Sequence, residues 1–148
     1  MCGIVGLISK SRQENLISNF LSEISHRGPD SKKYIINSIN QEYIHLGSSR
    51  LSIRGDSNED MPMINDNNDV FVYNGEIFDM KSIENLLSNN KKYKGDTRML
   101  FDLLHNNIQN ISKVNGMYAF AYFDRINKKL FLGRDKYGIK PLFYTINK

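Results

Sequence analysis

The only cysteine of this 148-residue chain is its second residue, a position from which a thiol can act as nucleophile without a histidine. A neighbour as small as cysteine permits removal of the initiator Met1, and removal leaves the α-amino group of Cys2 beside its own sulfur. An N-terminal amine has a pKa of about 7.7 to 8.0, so near neutrality an appreciable fraction is free base, able to take the thiol proton directly or through a water. One residue would then supply both nucleophile and base. On position alone, Cys2 is better read as a small apolar residue opening a strand, and only its context changes that balance. Competing chemistry is scarce. One cysteine excludes an intramolecular disulfide framework and a cysteine-based zinc site, and His26, His45 and His105 stand far apart without metal-ligand spacing. No metal is expected.

The elements that must position Cys2 follow from the apolar pattern. Gly3 to Ile8 is apolar and β-branched and predicts a buried strand, which puts Cys2 at a strand end. From Arg12 to Ile24, the residues Leu16, Ile17, Phe20, Leu21 and Ile24 fall at helical spacing, and the His26-Arg27-Gly28-Pro29-Asp30 stretch stops the helix. Strand patterns follow at Lys33 to Ile36, Glu42 to Leu46 and Leu51 to Ile53, then a polar loop through Met61-Pro62-Met63 to about Asn68. Val70 to Tyr73 reads as a strand broken by a turn at Asn74-Gly75, a pair suited to positive φ. Helices are predicted at Met80 to Leu87 and from Asp96 to His105, with Asp96-Thr97 as the cap. A strand pair, Met117 to Phe123 and Lys129 to Leu132, joins at Asp124 to Asn127, and a further strand is expected at Leu142-Phe143-Tyr144. Helices bunched between antiparallel strands mark an α+β fold rather than a parallel nucleotide-binding sheet.

Composition narrows the function class. Hydrophobic residues at 40% and charged residues at 24% describe a soluble globular domain, and the length fits one domain, residues 1–148. The net charge is +4, but the basic pairs Lys32-Lys33, Lys91-Lys92 and Lys128-Lys129 are scattered rather than clustered, so no nucleic-acid partner is assigned. No apolar run approaches membrane-spanning length or a signal peptide, which makes the cytoplasm the default location and a membrane partner unexpected.

Several short motifs arrive in one order: Cys2-Gly3-Ile4-Val5-Gly6, His26 to Asp30, Arg50-Leu51-Ser52-Ile53, Tyr73-Asn74-Gly75-Glu76-Ile77, Asp96-Thr97, Asn115 to Ala121, and Arg134 to Leu142. Any one is weak, but together they resemble the class II glutamine amidotransferases, which are N-terminal nucleophile hydrolases, and most closely the glutaminase domain of asparagine synthetases. The resemblance spans nearly the whole chain. It implies an αββα four-layer sandwich of antiparallel sheets, and hydrolysis of the glutamine side-chain amide to glutamate and ammonia through a Cys2 thioester. It assigns Asn74, by its side-chain amide, and Gly75, by its backbone N–H, to the oxyanion hole. Arg50 would hold the substrate carboxylate, Glu76 and Asp96 its α-amino group, and Leu51 and Ile53 would shape the pocket wall. His26 to Asp30 would buttress the nucleophile, and Arg134 and Asp135 would form an internal ion pair.

The match has departures. Ser48 stands where a histidine is usual, Arg98 where an acid commonly follows Asp96-Thr97, and Met61 and Met63 where glutamine is common. Family domains continue beyond the Lys-Pro-Leu-Phe-Tyr stretch with further strands and a helix, so the resemblance implies a sandwich incomplete at its C-terminus. The ammonia-using synthetase would be another chain or domain, and ATP and magnesium would belong there, leaving this domain without a cofactor. Asparagine biosynthesis is the family's best-known outcome. The alternative expectation is a catalytically degenerate glutamine-binding or partner-docking module.

Overall fold

A computed structural model of the chain describes residues 2–51, 60–87 and 91–146. The apolar opening forms β1 (Gly3–Ser9). Helix α1 (Glu14–Glu23) buries Ile17 and Leu21, four residues apart on one face. It starts two residues later than its apolar spacing predicts because the Gln13 backbone is not helical, and its N–H donates to His45 Nε2 at 2.9 Å. His45 Nδ1 lies 3.2 Å from the Leu7 carbonyl, so the two partners select the tautomer with the proton on Nδ1.

Strands β2 (Ser31–Ile39) and β3 (Glu42–Arg50) run well past the predicted lengths. They join at Asn40, whose φ of 52° is left-handed, a conformation asparagine tolerates. The hidden half of β3 is Gly47-Ser48-Ser49, too small and polar to register as a strand, yet buried because α1 lies on it. A side chain at Gly47 would meet Leu21 at 3.2 Å. β1, β3 and β2 form one antiparallel sheet in that order. Of the strand predicted at Leu51 to Ile53, Leu51 belongs to no strand and Ser52 and Ile53 lie outside the described residues.

The second sheet is antiparallel in the order β4 (Met63–Ile64), β5 (Val70–Ile77), β6 (Gly116–Asp124) and β7 (Lys129–Arg134). Here the predicted turn at Asn74-Gly75 is overturned. β5 runs straight through both residues, Asn74 opposite Ala119 and Gly75 opposite Tyr118. The glycine serves close approach rather than a turn, since a Cβ there would stand 2.3 Å from the Met117 carbonyl oxygen and 2.8 Å from Tyr118 Cα. Helices α2 (Met80–Leu87) and α3 (Asp96–Asn106) lie where the spacing predicts.

Two apolar clusters hold these parts together. Ile44 and Leu46 of β3 pack with Val70 and Val72 of β5 and with Ala121 and Phe123 of β6, between the sheets. On the other side of β5 and β6, Phe71, Tyr73, Phe120 and Tyr122 pack on Ile83 and Leu87 of α2 and on Met99, Leu100, Phe101, Leu103 and Leu104 of α3. Phe71 and Phe101 stack at 5.3 Å between centroids. The fold is thus α+β with antiparallel sheets, as expected.

Two expectations for the last stretch fail. Leu142 to Tyr144 is not a strand, and Phe143 and Tyr144 are exposed. Asp135 forms no pair with Arg134. Its buried carboxylate instead accepts backbone N–H bonds from Tyr118, Tyr137, Ile139 and Lys140. That use suits a buried carboxylate better than one arginine, because it satisfies both oxygens inside a turn closed at Gly138.

Candidate active site

The β1–β3 register pairs Gly3 with Ser49, which brings Cys2 to the sheet edge beside Arg50. The Cys2 sulfur lies 3.7 Å from the Leu51 carbonyl oxygen, its carbonyl accepts a bond from Arg27 Nε at 3.4 Å, and the thiol is free. The turn carrying Arg27 is stitched to the same place. Ser49 Oγ donates to the Gly28 carbonyl at 2.6 Å and Asp30 N–H to that of Arg50 at 3.0 Å, while a Cβ at Gly28 would collide with the Ser49 backbone at 2.4 Å. The His26 to Asp30 stretch therefore braces the strand ends that carry Cys2 and Arg50.

Asn74, Gly75 and Glu76 follow one another on β5, opposite Ala119, Tyr118 and Met117 of β6. Asn74 is buried. Asp96 opens α3 but is not its cap: that position is Gly95, and no side chain caps the helix. The Asp96 carboxylate turns to β5, where Oδ2 accepts from Tyr73 Oη and from the Ile77 N–H, both at 2.9 Å. Burial first, and the Asp96 charge next, push the Tyr73 hydroxyl far above the usual phenol range, so it is always protonated and always a donor.

The Arg50 side chain is only 8% exposed and Nη1 meets Asp60 Oδ1 at 2.7 Å. Asp60 also binds Lys33 Nζ at 2.5 Å, and that hydrogen bond, with the help of Arg50 and against the effect of burial, holds its carboxyl below the usual range. Lys33, which composition leaves as one of many solvated lysines, thus belongs to the support of Arg50.

Cys2, Arg50, Leu51, Asn74, Gly75, Glu76 and Asp96 line one cavity open to solvent. Ile53, the remaining predicted wall residue, lies outside the described residues. The cavity holds two acids, Glu76 and Asp96, and two cations, Arg50 and Lys140, a balance suited to a zwitterion. Sequence reasoning gave no site role to Met61, Tyr73, Thr97, Met117 and Lys140, which share the lining. Lys140 is buried, delivered by the Asp135-centred turn. Tyr73 and Met61 are linked, the Tyr73 N–H pointing to Met61 Sδ at 3.2 Å. The one available signal was adjacency, since Tyr73 and Lys140 sit inside motifs already singled out. Among the described residues no group of three or more His, Cys, Asp and Glu side chains could hold a metal ion, and no helix is long and apolar enough to cross a membrane.

Over residues 1–148 the chain matches the protein family described as "Glutamine amidotransferase domain". It is 32% identical, over 99% of its length, to a probable glutamine-hydrolysing asparagine synthetase of Acanthamoeba polyphaga mimivirus, and 32% identical, over 98%, to glutamine-hydrolysing asparagine synthetase 2 of Bacillus subtilis. A third relative, 30% identical over 99% of the chain, is the amidase chyE of Penicillium rubens. The chain spans 28%, 20% and 24% of the lengths of these three proteins.

Proposed function

Because the chain belongs to the glutamine amidotransferase domain family, we propose that it hydrolyses the side-chain amide of glutamine to glutamate and ammonia, with Cys2 as the nucleophile. The observation that carries this reading is convergence: Cys2, Asn74, Gly75, Arg50, Glu76 and Asp96, far apart in sequence, line a single cavity. The relatives named as glutamine-hydrolysing synthetases support the choice of amide.

With Met1 removed, the Cys2 amine takes the thiol proton and the sulfur attacks the carboxamide carbon. The developing oxyanion is met by the Asn74 side-chain amide and the Gly75 N–H, preorganised donors of a kind worth about 3 kcal/mol each. Collapse passes a proton to the leaving nitrogen and expels ammonia, leaving a thioester on Cys2. Water, deprotonated by the same amine, hydrolyses the thioester to glutamate and restores the thiol. Arg50, steadied by Asp60, holds the substrate carboxylate, Glu76 and Asp96 hold its ammonium, and Leu51 contributes to the wall, the role the family resemblance also gives Ile53. No cofactor enters this sequence of steps. The two sheets, with α1 outside one and α2 and α3 outside the other, are read as the αββα sandwich of N-terminal nucleophile hydrolases. The ammonia is passed to an asparagine synthetase-like partner, on another domain or chain, where ATP and magnesium would act.

The deciding experiment pairs intact-mass measurement of the purified protein with an assay for glutamate and ammonia. Protein lacking Met1 should release both from glutamine, and Cys2→Ala should reduce the rate to background. Glutamine binding without release by protein that has lost Met1 would instead indicate a degenerate glutamine-binding module.

A further inference from the structure

We propose that Tyr73 is a positioning residue for amino-acid selectivity: its hydroxyl fixes the Asp96 carboxylate so that the cavity recognises the α-ammonium group of its amide substrate. The inference rests on the glutamine reading above and adds to it the residue that makes Asp96 a receptor rather than a mobile surface acid.

Asp96 stands at the N-terminus of α3, where an aspartate would ordinarily fold back onto the helix's own first N–H groups. It does not, because Oδ2 is held by two donors from β5, Tyr73 Oη and the Ile77 N–H, each at 2.9 Å. Turning the carboxylate away would break both bonds, so the pair locks one side-chain orientation and leaves Oδ1 as the oxygen for an ammonium in the cavity. Tyr73 is itself fixed. It is 2% exposed, its ring stacks on Phe71 at 6.0 Å, and its own N–H meets Met61 Sδ. A buried phenol beside two carboxylates stays protonated at every accessible pH, so the donor never fails. Strand alternation then does the rest. Tyr73 packs with the α3 residues, and by strand alternation Asn74, the next residue, belongs to the other face, so the orientations of the ammonium site and of the oxyanion donor are set by one backbone.

The probe pair is glutamine and glutaramate, which has the same amide and carboxylate but no α-amino group. Tyr73→Phe keeps the ring and its stacking and removes only the hydroxyl. It should raise KM for glutamine about tenfold, the loss of one hydrogen bond to a charged group, with kcat within about twofold, and leave KM for glutaramate unchanged. Calorimetric binding of both compounds to Cys2→Ala protein, with and without Tyr73→Phe, should show the same pattern without turnover. Adding Tyr73→Phe to Asp96→Asn should change little, because the hydroxyl acts through Asp96. Equal weakening toward both compounds would overturn the inference in favour of a merely structural tyrosine, and so would undiminished affinity for glutamine. Failure of otherwise unaltered protein to bind or hydrolyse glutamine is a different result, which removes the amide reading and this inference together.

Discussion

Replacing Asp135 with asparagine should destabilise the protein by about 3 to 6 kcal/mol, and the reason lies in how four N–H donors divide between two oxygens. Oδ1 accepts from Tyr137 and Ile139 at 3.1 and 2.9 Å, and Oδ2 from Tyr118 and Lys140 at 3.2 and 3.0 Å. An amide offers one accepting oxygen and one NH2 group. Whichever way it is turned, two buried N–H groups lose their acceptor and face a donor. Hydrogen bonds to a charged partner contribute about 1.5 to 3 kcal/mol each, so two lost bonds account for the range. The pH dependence has a definite sign. Burial raises the Asp135 pKa, but the N–H groups of Lys140, Ile139, Tyr118 and Tyr137 outweigh it and hold the folded-state value below 3.8. A depressed carboxyl contributes its stability in full above the unfolded-state pKa and loses it as pH falls through the folded one. Urea unfolding at pH 7 should therefore show the full difference between the natural protein and Asp135→Asn, and the difference should shrink as pH falls below 3.8. Asp60 and Asp69, also depressed, act on both proteins alike and cancel. A difference under about 1 kcal/mol at pH 7, or one that persists undiminished into acid, would refute the assignment of those four bonds.

Gly75→Ala places a Cβ 2.3 Å from a β6 carbonyl oxygen, a clash with backbone that only strand separation relieves, so equilibrium unfolding should show a loss of about 2 to 3 kcal/mol. Phe101→Ala empties a fully buried site between Phe71 and Tyr122, and denaturant titration should register about 3 to 5 kcal/mol.

How far the sequence could be read depended on whether a residue's surroundings were local. The β1, α1, α2 and α3 elements were legible because their own apolar spacing carries the signal, as with Ile17 and Leu21. The second half of β3 was not, since Gly47, Ser48 and Ser49 are buried by α1 and β1 rather than by any hydrophobicity of their own. Asn74-Gly75 misled for a related reason. Glycine permits both a positive φ and a close backbone approach, and only the partner strand, Met117 to Ala119, decides which is used. Leu142 to Tyr144 has strand composition but no partner strand among the described residues. At the site, the described residues assigned through the family resemblance line one cavity, whereas Lys140 and Asp60 owe their places to turns and ion pairs that no short-range pattern encodes.

β5 shows how the alternation of a single strand places several of the site residues. Val70 and Val72 face the first sheet, against Ile44 and Leu46, while Phe71 and Tyr73 face α3. Carried two residues further, the same alternation sends Asn74 toward the sheet whose edge holds Cys2 beside Arg50, and Tyr73 and Ile77 toward Asp96. Gly75, between them, adds no side chain and lets β6 close in. The pairing of Val70 with Phe123 therefore fixes both the core and the separation of the oxyanion donor from the ammonium site. A slip of one residue would exchange the faces, burying Asn74 against α3 and turning Tyr73 away from Asp96. The large aromatic ring of Phe71 makes such a slip costly, since it would leave its buried place stacked on Phe101. The accuracy of the proposed site is in this sense inherited from the packing of the core.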